Sequence, residues 1–161
     1  MKVQRVYVDT SVIGGCFDEE FAPWSNGLMK DFLRGIFKPV LSEIVAAEVL
    51  PAPEQVRAQY AELLSVEPQF AELTDEVRQL AAVYQERKIL PAKFSNDVLH
   101  IALATIAEVD MLVSWNFKHI VQFDKIRLFN AINRESGYKA IEIYSPREVT
   151  TYGEGDDTEN S

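Results

Sequence analysis

The sequence predicts an α/β protein, a three-layer α/β/α sandwich around a central, mainly parallel sheet. Short β-branched runs alternate with longer segments of helical apolar spacing, the pattern left by strands joined through helical crossovers. The first run, Val3-Gln4-Arg5-Val6-Tyr7-Val8, stops at Asp9, Thr10 and Ser11, which places an acid and two hydroxyls at the carboxyl edge of the sheet, where open α/β folds keep their ligands. With 161 residues and 47% apolar content, one domain is expected, burying roughly 70% of its unfolded surface.

The elements follow in order. After the first strand, Gly14-Gly15 and Ala22-Pro23 punctuate a loop, and Ser25 or Asn26 caps a helix running to about residue 37. Lys38-Pro39-Val40-Leu41 is a short strand, and Ser42 caps a second helix that Pro51-Ala52-Pro53 ends. Two amphipathic helices are expected over residues 54–64 and 74–87, with Val77, Leu80, Ala81 and Tyr84 at helical spacing. Ser95 or Asn96 caps a helix that is apolar nearly throughout to residue 107 and belongs at the centre. Met111-Leu112-Val113 is a buried strand leading to Ser114-Trp115-Asn116, and a helix over residues 123–135, a strand over 140–144 and a turn opened by Pro146 complete the domain, residues 1–149. Residues 150–161 read as an acidic tail without enough apolar area to order itself.

No apolar run approaches the ~20 residues of a membrane helix, and Met1-Lys2-Val3 leads straight into a strand, so a soluble, cytoplasmic protein is expected. Cys16, the only cysteine, excludes an intrachain disulfide or a cysteine metal cluster and reads as a small core residue. The net charge of −9 opposes nonspecific nucleic-acid binding, but its distribution is uneven. Between residues 117 and 150, Lys118, Lys125, Arg127, Arg134, Lys139 and Arg147 outnumber Asp124, Glu135, Glu142 and Glu148, which marks either a phosphate-facing surface or an ordinary mixed-charge one.

Four residues bring oxygen to one crevice. Glu48 is the only polar side chain between Ile44 and Leu50, on the same face as Ile44 and Val45, so it must be paired, protonated or bound to a cation. Asp97 opens a helix, a position the helix dipole favours without any catalysis. His100 shares its face and is either a metal partner of Asp97 or a hydrogen-bonded core residue, the latter being the commoner case. Asn116 follows a buried strand and suits a turn. Two carboxylates about 4 Å apart repel by about 4 kcal/mol at an effective dielectric constant near 20, so Asp9, Glu48 and Asp97 gathered together call for protonation or a cation. Oxygen ligands select a hard ion, Mg²⁺ or Mn²⁺.

These residues resemble the PIN-domain ribonucleases, in particular the VapC-like toxins of bacterial toxin–antitoxin pairs. The resemblance spans about residues 1–149 and rests on Val8-Asp9-Thr10-Ser11-Val12-Ile13, Ser42 with Glu48-Val49, Asn96-Asp97-Val98-Leu99-His100-Ile101-Ala102, and Ser114-Trp115-Asn116-Phe117. It implies a PIN-like sandwich and a metal-dependent endoribonuclease using Mg²⁺ or Mn²⁺. Asp9, Glu48 and Asp97 would be its acidic ligands, Asn116 its fourth metal-site residue, and Ser11 and Ser114 its supporting hydroxyls. It also implies RNA as substrate, a homodimer, and a small antitoxin whose segment enters the acidic groove, with the helices between residues 54 and 87 as contact surfaces.

The family often carries an acid at or just after the position of Asn116, and Asp124 would substitute if the following loop folds back. Asp110 precedes its strand and belongs at the opposite edge of the sheet. Lys118 or His119 would reach phosphate or the leaving oxygen. Two other readings exist: a noncatalytic PIN-like scaffold binding RNA or protein, and a phosphatase of the haloacid dehalogenase type. The latter expects a second Asp where this chain has Ser11.

Overall fold

A computed structural model describes residues 2–153 of the chain. Strands β1 (Gln4–Val8), β2 (Phe37–Ser42), β3 (Gln69–Ala71), β4 (Met111–Val113) and β5 (Ile143–Tyr144) form one sheet in the order β3-β2-β1-β4-β5, every pair parallel. Helices α1 (Thr10–Gly15), α2 (Ala22–Leu33), α3 (Glu43–Val49), α4 (Glu54–Leu64), α5 (Asp75–Glu86), α6 (Ser95–Ile106), α7 (Phe123–Glu135) and α8 (Pro146–Val149) connect and cover it. Val6, Tyr7 and Val8 are all fully buried, and successive strand residues face opposite ways, so the central strand is covered on both faces. The edges are the short β3 and β5, which offer little unpaired backbone to a foreign strand.

Strand order places the crevice. The chain steps from β1 outward through β2 to β3, then returns to β4 on the other side of β1. The carboxyl ends of β1 and β4 therefore flank the topological switch point of the sheet. Asp9 N–H donates to the Val113 carbonyl across it at 3.2 Å.

Several boundaries differ from the sequence expectation. The loop expected after Asp9 is α1, and α2 starts at Ala22 rather than after Ser25 or Asn26. Pro23 suits the first turn of a helix, and Ser25, one turn in, uses its hydroxyl on the Val12 carbonyl at 2.8 Å instead of capping. Helix α2 stops at Leu33, short of residue 37: Gly35 takes a positive φ of 76°, and Phe37 is drawn into β2 opposite Gln4. Neither Ser95 nor Asn96 caps α6; a 3₁₀ turn, Ala92–Phe94, leads into it and Phe94 holds the cap position. Ser42 does cap α3, accepting from Val45 N–H at 3.3 Å. Strand β3 was not expected, and β5 is shorter than residues 140–144.

Two close approaches fix the frame around the crevice. A Cβ on Gly15 would lie 2.5 Å from Ser25 Oγ and 2.7 Å from Trp115 Nε1, so only glycine lets the indole reach over α1 to donate to Ser25 at 2.8 Å. At the other end, buried Asp31 of α2 accepts from Thr150 Oγ1 at 2.8 Å, from Thr151 N–H at 3.0 Å and from the Thr151 hydroxyl. Thr150 and Thr151, expected within the tail, are thus tied to the domain, and the acidic remainder lies outside the described residues. Cys16 is a core residue, as expected, and burial pushes its thiol up to about 12.

Candidate metal centre

Asp9 is the residue at which β1 becomes α1: extended itself, it ends the strand and its carbonyl starts the helix. Its side chain is nearly buried. Oδ2 accepts from Ser11 Oγ and Ser114 Oγ, both at 2.7 Å, and Ser11 Oγ in turn accepts from Trp115 N–H at 2.9 Å. The hydroxyls on the two sides of the switch point therefore close on one carboxylate oxygen. The other, Oδ1, lies 3.3 Å from His100 Nε2.

Glu48 reaches the same place from the last turn of α3. Its Oε1 accepts from Thr10 Oγ1 at 2.8 Å and lies 2.7 Å from His100 Nε2. The side chain is 29% exposed, more open than the apolar sequence around it implies, because α3 buries only Val45 and Val49. Burial raises the Glu48 pKa, but the His100 bond and charge and the Thr10 bond outweigh it, so the group lies below its ordinary range.

His100 is fully buried, and the expectation of a hydrogen-bonded core residue describes half of its role. Nδ1 lies 2.7 Å from Tyr7 Oη, which lies 2.7 Å from Ser42 Oγ, while Nε2 faces the two acids. A buried run of Ser42, Tyr7 and His100 thus backs the carboxylates. Burial opposes the imidazolium, yet the Glu48 bond and the charges of Asp9, Glu48 and Asp97 prevail and raise the His100 pKa. Asp9, Glu48 and His100 offer ligand atoms all within 4.8 Å of one another.

Asp97 stands beside this group rather than paired with His100. Its Oδ2 lies 3.0 Å from His119 Nδ1 and 3.4 Å from Asn116 Nδ2. Burial raises its pKa, the His119 bond opposes that, and the Asp9 charge adds to the rise. Asn116 spends its side-chain oxygen on His119 N–H at 3.0 Å, and its carbonyl accepts from Ile120 and Val121, so it is also the turn former its position suggested.

Other expectations are redrawn. His119, expected at RNA phosphate or the leaving oxygen, is 8% exposed and bound to Asp97; Lys118 beside it is exposed. Asp124 does not fold back into the site, being exposed in the first turn of α7 and 3.9 Å from Arg127. Asp110 lies at the opposite edge, as expected, accepting from Arg5 N–H. The basic residues are dispersed: Arg147 lies over the Trp24 ring, Lys125 donates to the Ile89 carbonyl, and Arg127 stands over Phe123. Sequence reasoning missed Tyr7 and the pairing of His119, and it placed the Thr10 hydroxyl at the sheet edge without its bond to Glu48. Tyr7 carried a signal, since a tyrosine between two core valines must find a partner for its hydroxyl.

Among solved structures, this chain is similar to VapBC2 from Rickettsia felis bound to a DNA fragment from their promoter, at TM-score 0.55 and 14% identity over 88% of this chain and 98% of that one. At that identity the likeness is one of fold, and the chain has the VapC-like PIN fold, with its parallel sheet and helical layers. No family model matches the sequence, and no curated protein does. Among the described residues no helix is long and apolar enough to cross a membrane.

Proposed function

We propose that this protein is a metal-dependent endoribonuclease, the toxin of a toxin–antitoxin pair. The observation that carries the reading is the group of Asp9, Glu48 and His100, with ligand atoms all within 4.8 Å of one another at the switch point of a VapC-like fold, and Asp97 near enough for the Asp9 charge to raise its pKa; no Lys or Arg is in hydrogen-bonding or ion-pair contact with these acids among the described residues. Carboxylate oxygens suit Mg²⁺ or Mn²⁺, which Asp9, Glu48 and Asp97 would hold, with Asn116 at the fourth position and Ser11 and Ser114 in support. A bound ion supplies a water of lowered pKa and charge neutralisation at a phosphodiester. The protein's own part is to fix the carboxylates: hydroxyls and imidazoles hold their oxygens, and the sheet edge gives them a rigid base. The −9 net charge leaves little nonspecific attraction for RNA and suits a small antitoxin with a basic segment. Leu64 and Phe70, 39% and 54% exposed, offer apolar contact for a homodimer in the region of residues 54–87.

Purified protein is expected to cut RNA with added Mg²⁺ or Mn²⁺, and chelator or Asp97→Ala to abolish cutting; cleavage that survives both removes the metal from the reading. One observation favours a noncatalytic scaffold, namely that the Asn116 oxygen is committed to its turn. A calorimetric titration separates the two, because a scaffold shows no saturable Mn²⁺ binding that depends on Asp9.

A further inference from the structure

The imidazole of His119 is largely buried. It sits in the turn after β4, 8% exposed, with its backbone N–H on Asn116 Oδ1 at 3.0 Å and its ring 4.0 Å, centroid to centroid, from Phe94 at the entrance of α6. Its Nδ1 lies 3.0 Å from Asp97 Oδ2. A carboxylate accepts only, so Nδ1 carries the hydrogen. Asn116 Nδ2, at 3.4 Å, approaches the same oxygen, and Oδ1 of Asp97 has no hydrogen-bond partner among the described residues.

The other acids are held by neighbouring side chains too. Two serine hydroxyls occupy Oδ2 of Asp9, whose Oδ1 lies 3.3 Å from His100 Nε2, and Thr10 with His100 occupy Oε1 of Glu48. We infer that His119 is a positioning residue that tethers one oxygen of Asp97 and so presents the other to the ion, rather than a residue that touches RNA. This rests on the metal-dependent reading above. Outer hydrogen bonds of this kind orient ligating side chains, and their loss costs ~10–100-fold in metal affinity.

The test is calorimetric titration of the full chain with Mn²⁺ alone, on variants whose cooperative thermal unfolding shows that they fold. His119→Leu fills the slot beside Phe94 without a donor and is expected to bind Mn²⁺ ~10–100-fold more weakly. His119→Asn, whose amide places a donor near the Nδ1 position, is expected to recover most of that loss, which a purely structural role for the ring would not allow. Combined with Asp97→Asn, His119→Leu should add no further loss, because both act through one carboxylate. His119→Phe repeats the donor deletion if the leucine variant does not fold. Wild-type affinity in the donorless variants, additive losses in the double variant, or no recovery with asparagine each overturns the inference while leaving the nuclease reading in place. Absence of saturable Mn²⁺ binding by the wild type overturns both.

Discussion

At the scale of the residue, His100 is, among the described residues, the one side chain that touches two of the acids at once, and when protonated its charge opposes theirs. Its pKa is raised above the ordinary 6.5. The stability this gives is fully present below pH 6.5 and is lost as the pH rises through the folded-state value. In chelator, the melting temperature of the wild type is therefore expected to fall as pH rises from that point, and His100→Gln to lose this dependence; parallel curves for the two proteins would show that the imidazole stays neutral. Glu48 acts in the opposite sense. Its lowered pKa contributes stability present above its ordinary 4.5 and lost as the pH falls through the folded value.

At the scale of the element, the site depends on how tightly α1 lies against the segment that follows β4. Gly15→Ala would drive a methyl into Ser25 and the Trp115 indole, and overpacking of this kind costs ~1–3 kcal/mol. Urea titration should show that loss, and Mn²⁺ affinity should fall with it, since Trp115 N–H also orients Ser11, a partner of Asp9. This coupling was not legible in the sequence. Asp9, Glu48 and Asp97 were, because strand ends, helix starts and isolated acids on apolar faces are local patterns. The partners of Asp97 come from the turn 19 and 22 residues downstream, and no periodicity reports which way that turn folds. Strand β3 escaped for a different reason: three residues, Gln69-Phe70-Ala71, are too few to display alternation. The α6 entry was misread because Ser95 and Asn96 are good caps in principle, whereas the 3₁₀ turn before them had already set the helix direction.

For the whole molecule, the C-terminal residues of the described chain are tied into the domain through α2. Asp31→Ala removes the acceptor of three donors, the buried Thr150 hydroxyl and the partly buried N–H and hydroxyl of Thr151, a loss on the order of 3 kcal/mol. Its melting temperature should drop by roughly 6–12 °C, at the ~2–4 °C per kcal/mol of a domain this size. A shift within a degree would show that the segment contributes nothing. The central strand has a wider consequence. β1 is complete by Val8, yet its partner on one side is β4, paired as Val6 with Met111 and Val8 with Val113. During synthesis, Asp9 leaves the ribosome 105 residues ahead of Ser114, which closes on it from across the switch point. Chains truncated before Met111 lack both β4 and Ser114, and on the metal-dependent reading proposed above they should bind no Mn²⁺.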